Sequence, residues 1–129
     1  MHNKTYANEW LEFAKRNLET AEILFEKDHY TDIIAIEIHQ SIEKTFKTVM
    51  AYNGIKIPKT HDLIKLFELC KKFIELPEEL FDNLIVISDY YETERYPAPK
   101  YNLPNKSEIK NNLAIAVNLF EKVKNFVNP

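Results

Sequence analysis

A chain of 129 residues, 45% hydrophobic and 29% charged, is long enough for one domain that buries about two-thirds of its unfolded surface without covalent staples. A formal net charge of −3 with no basic arm excludes the broad cationic footprint by which proteins usually grip nucleic-acid phosphates. The lone Cys70 excludes an internal disulfide and the lone glycine leaves no phosphate-cradling loop; with no membrane-length apolar run and no signal-peptide pattern, a cytoplasmic protein without a membrane partner is expected.

From about Tyr6 to Lys27, Leu11, Ala14, Leu18, Ala21 and Phe25 recur at alternating steps of three and four, which makes one apolar helical face. A second helix from about Asp32 to Asn53 carries Ile34, Ala35, Ile38, Ile42, Phe46, Val49 and Met50, with Ile33 and Ile36 on a neighbouring flank, and is expected at the centre of the fold. Gly54 ends it in the left-handed region, and Ile55 to Pro58 reads as an extended connector, because the residue before proline avoids the helical region. Thr60 is the expected N-cap of a short third helix, His61 to Ile74, whose Leu63, Leu66, Phe67 and Cys70 face inward. Such apolar surroundings make Cys70 a buried thiol rather than a nucleophile.

Pro77 suits the first turn of a fourth helix running to about Tyr91, with Glu78 and Glu79 complementing the positive end of its dipole. Leu80, Leu84, Ile87 and Tyr91 mark its buried face, and Phe81, Ile85 and Ser88 widen it. Prolines at 97, 99 and 104 forbid helix across Arg95 to Asn105, so an ordered irregular loop bearing Tyr96 and Tyr101 is expected there. Asn105 and Glu108 then form a capping-box pattern before a heptad-like seam of Ile109, Leu113, Ala116, Phe120, Val123 and Val127. No strand alternation competes. The expected fold class is all-α, an up-and-down bundle of three long and two shorter helices.

Two constellations stand out. On the second helix Gln40, Glu43, Lys44 and Lys47 share one stripe, which any solvated helix face would also tolerate, since Glu43 and Lys47 make a favourable i,i+4 pair. At the end of the fourth, Arg95 is the sole basic residue between Lys72 and Lys100 in an acidic stretch. It either balances helix charge or recognises phosphate through its planar fork, with Tyr96 as stacking neighbour and Tyr91 one turn back as a wall. The histidines at 2, 29, 39 and 61 lack paired metal-ligand spacing, so neither a metal nor a cofactor is expected.

Taken together, Tyr91-Glu92-Thr93-Glu94-Arg95-Tyr96-Pro97 and His39-Gln40-Ser41-Ile42-Glu43-Lys44-Thr45-Phe46-Lys47 resemble the HEPN domain, a small helical domain often encoded beside a minimal nucleotidyltransferase. The resemblance spans essentially the whole chain and extends to the helical domain of aminoglycoside nucleotidyltransferases. It implies a homodimer that either binds a nucleotide or nucleic-acid end or presents substrate to a separately encoded nucleotidyltransferase, in part of the family as a toxin–antitoxin pair. Spare apolar surface on the second and last helices points to the same two-fold pairing. In nuclease members an arginine and a following histidine are separated by four to six residues. Here the corresponding positions hold Lys100, Tyr101 and Asn102, so Arg95 is kept, the histidine is absent, and a non-catalytic member is expected. The alternatives are a metal-independent endoribonuclease toxin using Arg95 with a histidine from elsewhere, His39 or His61, and a purely structural dimerising module.

Overall fold

The computed structural model of the protein describes residues 2–95 and 103–129, with residues 92–95 by their backbone alone. Five helices follow in order: α1 (Lys4–Glu26), α2 (Thr31–Tyr52), α3 (Leu63–Cys70), α4 (Glu79–Arg95) and α5 (Lys106–Val127). No strand occurs among the described residues. The architecture is the expected all-α bundle. No helix among those residues is long and apolar enough to cross a membrane.

Local chemistry sets the helix ends. The side chain of Asn3 accepts from the Tyr6 N–H at 3.0 Å and starts α1 two residues earlier than apolar spacing alone suggests. Both α1 and α2 close with paired backbone bonds beyond their last turn, His29 N–H to Leu24 C=O and Ile55 N–H to Met50 C=O, each through a left-handed residue. In α2 that residue is Gly54 at φ 67°; in α1 it is Asp28 at φ 53°, a non-glycine position without a marked sequence signal. At α5 the Asn105 side chain accepts from the Glu108 N–H at 2.8 Å, as the capping pattern implies. The Glu108 carboxylate instead accepts from the Tyr90 hydroxyl, which Asn112 also engages at 2.7 Å, so a buried polar cluster joins α4 to α5. Burial and the Glu108 carboxylate push the Tyr90 phenol up.

Several expectations need correction. Asp62, not Thr60, caps α3, accepting from the Ile64 and Lys65 N–H groups, while the Thr60 hydroxyl accepts from the Asp62 N–H. The helix also ends at Cys70 instead of Ile74, its chain leaving through turns at Phe73 and Ile74. Ile85 does not widen the buried face of α4: it is 47% exposed, and Tyr90, not Tyr91, joins Leu80, Leu84 and Ile87 in filling the contact with the bundle. Finally, the apolar faces of α2 and α5 are not spare. The large exposed apolar side chains among the described residues are Tyr6, Phe13, Ile23, Tyr30, Ile85, Val86 and Leu103, and none lies on either helix.

Helix α2 is the centre, packing against each of the other four. Its Ile34, Ile38, Ile42, Phe46, Val49 and Met50 are essentially inaccessible, each contributing about 1.5–3 kcal/mol of burial. Cys70 packs in the same core, its thiol 3.2 Å from the Phe46 carbonyl and pushed up to about 12 by burial, which leaves it inert at neutral pH. A helix surrounded on all sides must put something on every face. Polar side chains on α2 therefore end up inside the protein as well.

Candidate functional site

His39, Glu43 and Lys47 follow one another at four-residue steps on α2, so their side chains form a line spanning about 12 Å along the axis. All three are buried, at 0%, 4% and 7% exposure. Ionisable groups taken from water need partners, and these have them. Glu43 Oε2 accepts from Lys47 Nζ at 2.9 Å, and the ammonium also lies 5.7 Å from the centroid of the Trp10 ring. Glu43 Oε1 accepts from His61 Nδ1 at 2.9 Å.

The connector between α2 and α3 delivers His61 to this carboxylate. Gly54 turns the chain out of α2, Pro58 keeps it from coiling again, and the Thr60 hydroxyl and the Asp62 cap pin the residues on either side of His61. The Leu63 N–H donates to the Ser88 hydroxyl at 3.3 Å and ties the start of α3 to α4. On the α4 side Tyr91 stacks on the His61 ring, with centroids 4.1 Å apart and planes 19° from parallel. The His61 ring is thus held between a carboxylate and a phenol ring while its side chain stays 49% exposed. It opens into a shallow depression of about 640 Å³ whose lining includes Lys59, Thr60, Ile64, Ser88 and Tyr91.

His39 grips the same residue from the other end. A carbonyl oxygen only accepts, so His39 Nε2 must carry the proton that it donates to the His61 C=O at 3.0 Å. That leaves Nδ1 as a bare acceptor, wholly buried, without a hydrogen-bond partner among the described residues and 3.8 Å from Glu43 Oε1. Burial pushes the His39 imidazole down to about 4, with the Glu43 charge opposing the shift. At neutral pH the ring is uncharged.

The expected site residues separate into groups. Glu43 and Lys47 are a buried pair beneath His61 rather than part of an open stripe. Lys44 turns to α1, donating to Asn17 Oδ1 at 2.7 Å, and Asn17 in turn donates to Glu37. Gln40 is half-buried on the same helix. Of the expected ligand residues, Tyr91 lines the depression. Arg95 closes α4, one helical turn after Tyr91; its side chain, and all of Tyr96, lie outside the described residues, as do Lys100, Tyr101, Asn102 and most of the expected loop. Sequence reasoning named His39 as the start of the family-like series on the second helix, and His39 and His61 as substitutes for a missing histidine. Their shared carboxylate had a signal in hindsight, the His39–Glu43–Lys47 spacing, but nothing local relates Glu43 to a residue 18 positions later. No trio of His, Cys, Asp or Glu among the described residues is arranged to hold a metal ion.

Comparison with known proteins places this geometry in context. The profile of the HEPN domain matches residues 7–126. TT1696 from Thermus thermophilus superposes with a TM-score of 0.77 at 22% identity, over 92% of this chain and 96% of that one. ST0689, an archaeal HEPN homologue, superposes with a TM-score of 0.74 at 18% identity, over 95% and 98% of the two chains. At such identities the likeness speaks for the fold alone. No curated protein matches the sequence significantly.

Proposed function

The chain belongs to the HEPN domain family, and from that premise we propose that it binds a phosphate-bearing ligand, a nucleotide or an RNA end, at the depression beside His61 and Tyr91. One arrangement carries the reading: a half-exposed histidine, oriented by a buried carboxylate and stacked on a tyrosine that lies one turn before Arg95. The ring presents Nε2 outward because Nδ1 is engaged by Glu43. Imidazole, guanidinium and aromatic faces are the groups that recognise phosphate and base together. In this reading His61, Tyr91, Arg95 and Tyr96 meet the ligand, while Glu43 and Lys47 support the histidine from within, and Gln40 and Lys44 brace the neighbouring face.

The natural setting of such a domain is beside a separately encoded minimal nucleotidyltransferase, as a toxin–antitoxin-like pair, with the domain itself a homodimer. Exposed Ile85 and Val86 on α4 favour that helix as the dimer face, in place of α2 and α5. Calorimetric titration with adenosine nucleotides and 5′-phosphorylated short RNA tests the binding claim. Saturable heat that His61→Ala removes supports it; equal negligible heats from both proteins refute it.

A specific observation favours a second reading, a metal-independent endoribonuclease. His61 paired with Glu43 has the orientation of a general base, which the sequence pattern after Arg95 lacks. In that reaction the RNA 2′-hydroxyl bonds to the adjacent phosphorus, the P–O5′ bond breaks, His61 Nε2 takes the hydroxyl proton and water protonates the leaving oxygen. Cleavage in the presence of chelator, abolished by both His61→Ala and Arg95→Ala, selects this reading.

A further inference from the structure

Two histidines face one carboxylate oxygen. Glu43 Oε1 lies 2.9 Å from His61 Nδ1 and 3.8 Å from His39 Nδ1. The first contact is a made hydrogen bond. The second is two acceptors facing each other, because the His39 proton is committed to the His61 carbonyl through Nε2. We propose that His39 is the positioning residue of the His61 site: neutral, it anchors His61 through the backbone and leaves Glu43 to the His61 ring; protonated, it takes Glu43 Oε1 for itself and releases that ring. The proposal concerns regulation of the site described above and rests on His61 being its ligand-facing residue.

The geometry favours an exchange over simple addition. Glu43 has two oxygens, and Oε2 is already occupied by Lys47 at 2.9 Å. Oε1 is the oxygen that faces His39 Nδ1, and closing a gap of 3.8 Å to hydrogen-bond length draws that oxygen from its present place against His61. A buried charge without such a partner is costly, so the proton and the carboxylate movement come together. The charged and titratable groups facing His39 are Glu43 and Lys47 from its own helix, His61 from the connector and Tyr91 from α4. Glu43 favours the proton; Lys47 and a charged His61 oppose it. Burial opposes it more strongly, which places the exchange on the acid side of neutrality, toward about pH 4.

The test follows the ring nitrogens of His61 by NMR of ¹⁵N-labelled protein between pH 7 and 4, comparing wild type with His39→Gln. A glutamine amide can still donate to the His61 carbonyl but cannot take a proton in this range. The wild type is expected to lose the His61 Nδ1–H···Glu43 signature as His39 titrates, while His39→Gln retains it to lower pH, with near-ultraviolet dichroism confirming that both remain folded. Identical loss in the two proteins overturns the proposal. If His39→Gln does not fold, Glu43→Gln decides: without the carboxylate, His39 protonation should move to lower pH and uncouple from the His61 signals, and unchanged coupling again overturns it. A separate arm titrates adenosine monophosphate at pH 7 and 4. Wild type should weaken about twofold relative to His39→Gln at the lower pH, where about half of its His39 carries the proton. No binding by either protein at pH 7 sinks the ligand reading while leaving the NMR result to judge the exchange.

Discussion

His39 and Glu43, one helical turn apart on α2, hold opposite ends of a single residue: His39 Nε2 binds the His61 carbonyl at 3.0 Å, and Glu43 Oε1 binds the His61 ring at 2.9 Å. A connector residue is thereby fixed in both backbone and side chain by the central helix. That double hold is what allows a half-exposed imidazole to keep one orientation.

Stability should fall on the acid side of neutrality because of His39. Its pKa is lower in the folded protein, about 4, than the 6.5 of an unfolded chain. The unfolded state therefore binds more protons between those values, so the contribution is complete above pH 6.5 and is lost as pH falls toward 4. It amounts to about 3 kcal/mol across the whole interval. Urea unfolding at pH 7, 5.5 and 4.5 checks this, with His39→Gln expected to show a flatter profile; parallel profiles would mean another group dominates.

Lys47→Met should cost about 3–5 kcal/mol, since it strips Glu43 of its ammonium partner inside the protein. Replacing both partners, Glu43→Leu with Lys47→Met, should recover most of that loss. The double variant should nevertheless bind nucleotide poorly because His61 is no longer oriented. Denaturation curves and calorimetry on the same samples separate the two effects, and a double variant that binds like wild type would remove Glu43 from the site.

Arg95→Lys distinguishes phosphate recognition from balance of helix charge. A lysine preserves the charge at the end of α4 but not the two-pronged fork. Loss of about 1–3 kcal/mol of ligand affinity is expected, with no change in thermal midpoint. Unchanged affinity would assign Arg95 to the helix dipole.

Little or no ribonuclease activity is expected from the isolated protein, because the histidine that follows the arginine in nuclease members is absent after Arg95, and loss of such a group forgoes a factor of roughly 10² to 10⁴. Gel assays with a labelled RNA in chelator measure it directly. Robust cleavage that depends on His61 would identify that residue as the missing base.

Sedimentation at micromolar concentration should give a dimer, and Ile85→Glu should give a monomer, since its side chain is 47% exposed and lies outside the hydrophobic core. A wild-type monomer would instead leave Ile85 and Val86 as isolated surface residues, which are common on soluble proteins.

The five helices and most of the core were legible in the residues, because both depend on local periodicity. Leu11, Ala14, Leu18 and Ala21 in α1, and the seam from Ile109 to Val127 in α5, recur at helical spacing and are buried as that spacing implies. The capping role of Asn105 was legible for the same reason, being a bond between residues three apart. The cap of α3 was not: Thr60 was expected, and Asp62, nearer the apolar run, holds the place. Which polar residues of α2 face inward was set by packing between distant segments. Spacing puts Glu43 and Lys44 on one stripe, yet packing sends Lys44 to Asn17 on α1 and Glu43 to His61 across the connector. A central helix has neighbours on every side, so the direction of its polar groups is set by which chain segments arrive there, and that path is not written in the residues of the helix itself.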